Sequence, residues 1–155
     1  MLIVPVDSFA QGFQAYSQEV SFIKMMLDCP EEKAVPPMNG FGALYICTIG
    51  DEKTVKLYVS ENPDSGRVQN IGMIWRDWKT NSGGEIQSDL KTVEEALDFI
   101  IDMYVPAKRD EIKEAFWDSK NEDLSTSDFL IYLTHKTDLK KDERLILIEE
   151  QQKQL

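Results

Sequence analysis

Three segments rich in β-branched and aromatic residues follow one another with only short connections between them, and this arrangement limits the fold more than any other feature. They span residues 43–49, 54–60 and 68–79, and each has the composition of a β-strand. The connections carry Gly, Asp, Asn and Pro, which favour tight turns. Connections this short join antiparallel neighbours. The sequence therefore predicts a three-stranded antiparallel meander, to which residues 2–6 can add a short edge strand.

Apolar residues at helical spacing flank the meander on both sides. We therefore expect an α+β fold in which the meander packs against several helices, as a single domain over residues 1–148 with a solvated or frayed tail at 149–155. Loops are expected at 30–42, which contains Pro36 and Pro37, and at the polar stretch 118–125. The helices are expected over 9–27, 93–104, 107–117, 129–133 and 139–148, although 145–148 can instead form a strand.

The best-marked helix of the sequence is the one that starts at Thr92. Thr92 and Glu95 have the spacing of a capping box, and the apolar residues from Val93 to Tyr104 form one helical stripe. Three acidic residues stand four apart on the other side, namely Glu94, Asp98 and Asp102. Like charges at that spacing destabilise an isolated helix by about 0.2–0.5 kcal/mol per pair. The ladder is therefore either a solvated helix face or a surface that serves a basic partner.

The chain is strongly acidic, with 28 acidic and 17 basic residues and a net charge of −11. This charge disfavours direct contact with nucleic acid or a membrane surface and favours a basic protein surface. Residues 85–102 carry six carboxylates, and Lys91 is the one basic residue of this segment. We therefore expect an acidic, non-catalytic binding protein, with an inhibitor or decoy of a nucleic-acid-binding protein as one form. The predicted partner-binding residues are Glu85, Asp89, Glu94, Glu95, Asp98 and Asp102.

Two tryptophans of the third predicted strand are candidates for an aromatic anchor. Trp75 and Trp78 stand three apart, so their side chains point to opposite faces of a sheet. If one face is open, the tryptophan on it can act as an interface hot spot. If both faces are covered, both residues belong to the core.

The residues that usually carry catalysis or metal binding are sparse. His135 is the single histidine, and no motif places a nucleophile beside it. Cys29 and Cys47 are too few for a disulfide framework and lack the spacing of a zinc site. The sequence therefore predicts no catalytic residue, no metal and no cofactor, and it favours a reducing cytoplasm. Small acidic proteins without a catalytic motif are common among the products of phages, plasmids and other mobile elements, so such a source is expected here.

Two alternative functions stay open at this point. The first is a homodimer or other assembly formed through an exposed sheet face or through the apolar C-terminal residues Leu139, Leu145, Ile146 and Ile148. The second is a small-ligand domain with a pocket between the sheet and the helices, lined by Tyr58 and a tryptophan.

Overall fold

The computed structural model describes residues 12–78 and 89–151, apart from the side chains of Asp77 and Trp78. Within these ranges the chain forms three α-helices and seven β-strands. The helices are α1 (Tyr16–Leu27), α2 (Leu90–Tyr104) and α3 (Arg109–Trp117), and a short 3₁₀ turn at Pro106–Lys108 separates α2 from α3. The strands are β1 (Glu31–Val35), β2 (Leu44–Ile49), β3 (Val55–Glu61), β4 (Val68–Trp78), β5 (Glu122–Ser125), β6 (Phe129–Thr137) and β7 (Lys141–Glu150).

All seven strands belong to one antiparallel sheet with the order β1-β2-β3-β4-β7-β6-β5. The predicted fold class, a three-stranded meander packed against several helices, is therefore wrong. The predicted meander corresponds to β2, β3 and β4, and the sheet extends beyond it on both sides. The segment 30–42, expected to be a loop, contains the edge strand β1, and the segment 118–125, expected to be a linker, contains the opposite edge strand β5. The proposed edge strand at 2–6 lies outside the described residues.

The largest correction concerns residues 129–133 and 139–148, which were expected to form two helices and belong to the hairpin β6–β7, so that for 145–148 the strand alternative is confirmed. Asp138 lies in the turn between these two strands. Its Oδ1 accepts hydrogen bonds from the backbone N–H groups of Lys140 and Lys141 at 2.8 and 2.7 Å, which closes the hairpin turn. Residues of β7 alternate between the two faces of the sheet, and β7 includes Glu149 and Glu150, the first two residues of the predicted tail.

All three helices pack on one face of the sheet, and the core lies between the two layers. The buried side chains of the strands alternate along the chain, as the period of a half-covered sheet requires. In β4, for example, Ile71, Met73 and Trp75 are buried against the helices, whereas Ile74 and Arg76 lie on the other face. The connection from β4 through α2 and α3 crosses this face, so that β5 begins at the far edge of the sheet.

Helices α2 and α3 were predicted in nearly the right places, but the start of α2 differs. The helix begins at Leu90, and Asp89 occupies the N-cap position without a side-chain capping bond. The predicted capping box of Thr92 and Glu95 is therefore wrong. The stripe of α2 is confirmed, since Val93, Ala96, Leu97, Ile100 and Ile101 are all buried.

Cys29 and Cys47 form a disulfide, with Cα atoms 5.6 Å apart. The bond joins the end of α1 to the middle of β2, and Cys47 is completely buried. The expectation that the two cysteines remain reduced is therefore wrong. Since disulfides are typical of oxidising compartments, the expected cytoplasmic location loses the support it drew from cysteine usage.

Candidate functional site

The acidic ladder of α2, formed by Glu94, Asp98 and Asp102, contacts basic residues of α3. Lys113 Nζ lies 2.6 Å from Asp98 Oδ1, and Arg109 Nη1 lies 3.4 Å from the same oxygen. Arg109 also pairs with Asp102. Among the described residues, Glu94 is exposed and lies in no ion pair. The ladder is therefore largely neutralised by the neighbouring helix.

The other predicted partner-binding residues do not join the ladder in one free surface. The Oε1 atom of Glu95 lies 4.0 Å from Lys91 Nζ on the same helix. Asp89 accepts hydrogen bonds from the backbone N–H groups of Glu52 and Thr54 and from the Thr54 hydroxyl, at 3.1, 3.1 and 2.8 Å. Partial burial raises the pKa of Asp89, but these hydrogen bonds outweigh it, so the pKa lies below its usual value. Glu85 lies outside the described residues.

A second acidic ladder, which the sequence reasoning missed, lies on α3 and its C-cap. Asp110, Glu114 and Asp118 stand four apart and are all exposed, so successive carboxylates are about 6 Å apart along the helix axis. Lys120 Nζ lies 3.8 Å from Glu114 Oε1 and 3.9 Å from Asp118 Oδ2. The spacing of these acids was visible in the sequence. What the sequence could not show is that Arg109 and Lys113 of the same helix turn toward α2.

Trp75, one of the two predicted aromatic anchors, is 1% exposed and belongs to the core. Its ring stacks on Phe116 and meets Trp117 edge to face, at centroid distances of 6.4 and 5.9 Å. It therefore offers no exposed anchor. The side chain of Trp78 lies outside the described residues.

A buried polar cluster lies beside Trp75, at the base of α3. His135 Nε2 is 2.5 Å from Asp142 Oδ1, and Asp142 Oδ2 is 3.7 Å from Arg144 Nε. Arg144 donates to the carbonyl of Phe116 at 3.3 Å, and its guanidinium lies 5.4 Å from the Trp75 ring centroid. Asp142 and Arg144 are both buried, and each balances the charge of the other inside the sheet–helix core. The cluster therefore belongs to the core of the protein.

The face of the sheet that points away from the helices carries a row of apolar side chains in register. Ile46 pairs with Tyr58, Tyr58 with Gly72, Gly72 with Leu147, and Leu147 with Tyr132. All four side chains are partly exposed. Gly72 leaves room for the Tyr58 ring, because the Cζ atom of Tyr58 lies 2.5 Å from the position that a Cβ would take. Burial, together with the charge of Glu143, raises the pKa of Tyr58 to about 12.

A cavity of about 460 Å³ opens where three parts of the chain meet: the segment leading into α1, the end of α2 and the β5–β6 turn. Glu19 of α1 lines it and is only 5% exposed. Its Oε2 accepts a hydrogen bond from the Tyr104 hydroxyl at 2.7 Å, and its Oε1 accepts one from the Gln14 backbone N–H at 2.9 Å. Burial and the charge of Glu19 raise the pKa of Tyr104, so its hydroxyl stays protonated and keeps donating. The remaining lining residues are Gly12, Phe22, Met103, Val105, Pro106, Ala107, Thr126, Ser127, Asp128 and Phe129.

Sequence reasoning did not select Glu19, although a signal for its burial was present. Glu19 stands three residues after Tyr16 and four before Ile23, so it shares the apolar stripe of α1. An acidic residue on such a stripe has to find hydrogen-bond donors inside the protein.

Comparison of the chain with protein-family models, curated proteins and solved structures found no match. Among the described residues, none of the helices combines the length and the apolar character needed to cross a membrane. Within the same residues, no group of three or more His, Cys, Asp or Glu side chains is arranged to hold a metal ion.

Proposed function

We propose that this chain is an acidic, non-catalytic binding protein that engages a basic protein partner. The observation that carries the proposal is the pairing of basic side chains of α3 with acidic side chains of α2. Arg109 and Lys113 turn toward the α2 ladder. On α3, Asp110 therefore lies in no ion pair among the described residues, and Glu114 and Asp118 share one cation, Lys120. A basic partner is attracted to such a surface, and it is repelled by few positive charges there.

The proposed contact surface, called here the α3–β5 acidic surface, consists of the α3 ladder and the neighbouring edge strand. On β5, Glu122 is exposed and lies in no ion pair among the described residues. It is in register with the buried Leu133, so it lies on the helix side of the sheet. Charged side chains on an edge strand also discourage pairing with another strand. The full surface is formed by Asp110, Glu114, Asp118 and Glu122.

A partner that normally binds nucleic acid would present basic residues suited to this surface, and the chain would then act as its inhibitor or decoy. The α3 ladder places carboxylates about 6 Å apart along the helix axis, and such a row of negative charge can occupy a basic groove that otherwise binds phosphates. Double-stranded DNA is expected to displace such a partner from the chain. A partner that DNA leaves in place would belong to another class of basic protein.

The test is affinity capture with the immobilised chain from a lysate of the cells that produce it. The wild type is expected to capture a basic protein at low salt and to release it as NaCl is raised. The variant Asp110→Asn/Glu114→Gln/Asp118→Asn is expected to lose that protein. A matched control removes three exposed acids from the β2–β3 and β3–β4 turns and is expected to keep it: Asp51→Asn/Glu52→Gln/Asp64→Asn. Equal capture by both variants, or capture that salt does not weaken, contradicts the proposal.

The open sheet face supports a second candidate function, a homodimer. The partly exposed row of Ile46, Tyr58, Leu147 and Tyr132 is apolar and lies on the face that carries none of the described helices. Of the residues first considered for such a contact, Ile146 and Ile148 are buried in the core and cannot take part, whereas Leu145 lies on the open face.

Light scattering after size exclusion tests this second function. A dimer that dissociates on Leu147→Glu supports it. Leu139→Glu is the control, because Leu139, although also expected at the contact, lies on the β6–β7 turn outside the row and is 97% exposed. A strict monomer at high concentration excludes it.

A further inference from the structure

The cavity beside Glu19 has the properties of a specific binding site, and it does not depend on the proposed function. Its volume of about 460 Å³ lies in the range of small-ligand pockets, which are mostly apolar with a few polar groups that fix orientation. We propose that it binds an organic cation, a guanidinium or primary ammonium group carried on an apolar stem, with the Glu19 carboxylate as its counter-charge.

The charge of the cavity wall is the first argument. Glu19 is nine-tenths buried or more, and it lies in no ion pair with a described Lys or Arg. The two hydrogen bonds from Gln14 and Tyr104 use only part of the roughly four lone-pair positions of a carboxylate. A buried carboxylate is costly without a cation, so a ligand that supplies one gains more there than it would at the surface.

The surroundings of Glu19 favour positive charge as well. Helix α2 ends at Tyr104, which lines the cavity together with Val105. The C-terminal end of a helix carries a partial negative charge that attracts cations. Asp128 is a second acidic residue of the lining, and none of the described lining residues is basic.

The remaining wall defines the rest of the ligand. Phe22, Met103, Pro106 and Phe129 offer apolar surface beside the carboxylate. A bare inorganic cation would leave this surface unused, and a neutral apolar molecule would leave Glu19 without a counter-charge. A cation with an alkyl or aryl stem of a few carbons uses both parts.

Such a group has two sources, an arginine or lysine side chain of another protein and a free small molecule. The probes are therefore pentylguanidinium, its neutral isostere pentylurea, and the peptides acetyl-Gly-Arg-Gly-amide and acetyl-Gly-citrulline-Gly-amide. Binding is followed through the amide resonances of Val105, Thr126 and Ser127. Pentylguanidinium is expected to bind saturably and about tenfold or more tighter than pentylurea, as a charge-assisted hydrogen bond requires. Binding of the arginine peptide but not the citrulline peptide assigns the source to a protein side chain, and binding of the free cation alone assigns it to a small molecule.

Two variants separate binding from folding. Glu19→Gln keeps the shape of the side chain and removes its charge, and it is expected to weaken pentylguanidinium about tenfold. Glu94→Gln makes the same charge change on the exposed side of α2 and is expected to leave binding unchanged.

If Glu19→Gln does not fold, Met103→Lys gives a second test. Met103 is 43% exposed at the cavity, so the new ammonium group is expected to occupy the site and abolish binding. Met25→Lys is the control, because Met25 is 71% exposed on α1 and does not line the cavity. Equal affinity for the charged and neutral probes, no binding of any probe, or full binding by Glu19→Gln and Met103→Lys overturns the proposal.

Discussion

Reduction of the Cys29–Cys47 disulfide is expected to lower the stability of this protein by a predictable amount. The bond closes a loop with a sequence separation of 18 between the end of α1 and the middle of β2. In the chain-entropy model, the loss of a cross-link over a loop of this size costs about 3 kcal/mol. For a chain of 155 residues, each kcal/mol corresponds to about 2–4 °C in the melting temperature, so the expected shift is about 6–12 °C.

Differential scanning calorimetry of the oxidised protein with and without a phosphine reductant measures this shift. Intact-mass analysis after alkylation confirms the redox state of each sample. The double variant Cys29→Ser/Cys47→Ala is the control and should melt at one temperature whether or not reductant is present. An oxidised protein whose melting temperature is unchanged by complete reduction would refute the loop-closure argument.

Three further outcomes follow from the core and the turns. Asp142→Ala leaves the buried Arg144 without its carboxylate and is expected to lower the free energy of unfolding in urea by about 3 kcal/mol, and a loss near zero would show that the cluster is not a unit. Gly72→Ala places a Cβ 2.5 Å from Tyr58 Cζ and is expected to lower the free energy of unfolding by about 1–3 kcal/mol, and this cost should be smaller when it is measured in a Tyr58→Ala background. The pKa of Asp89 is lower in the folded state than in the unfolded state, so its contribution to stability is complete above its unfolded pKa and is lost as pH falls through its folded pKa. Asp89→Asn should therefore flatten the fall of melting temperature below about pH 5, and parallel curves for the two proteins would contradict this assignment.

The helix pattern was the most readable part of the sequence, since the period of apolar residues located α2 and α3 before any tertiary contact was known. The helical period of apolar residues gave a wrong prediction for β7, which was expected to be part of a helix. The first two residues of β7 that point into the core are polar, Asp142 and Arg144. Asp142 contacts His135, and Arg144 lies over the ring of Trp75. Because these two polar side chains interrupt the apolar alternation, the sequence indicated a strand only as an alternative and only for residues 145–148.

The edge strands β1 and β5 were not predicted, for a related reason. β1 and β5 carry mainly polar, exposed side chains, so neither shows the apolar alternation that marks a half-buried strand. Their strand conformation comes from pairing with β2 and β6, which supply the backbone hydrogen bonds. Such pairing is a property of the assembled sheet.

The sequence by itself determined the acidic surplus, the helix periods and the central β2–β4 meander, because composition and local periodicity depend only on neighbouring residues. The tertiary structure decided which charges are free. It brought Arg109 and Lys113 to the α2 ladder and left the α3 ladder exposed, with Lys120 as its one ion-pair partner among the described residues. It also joined Glu19 and Tyr104, which are 85 residues apart, at one cavity. Ion pairs and cavities depend on contacts between distant segments, and a local pattern contains no information about which segments will meet.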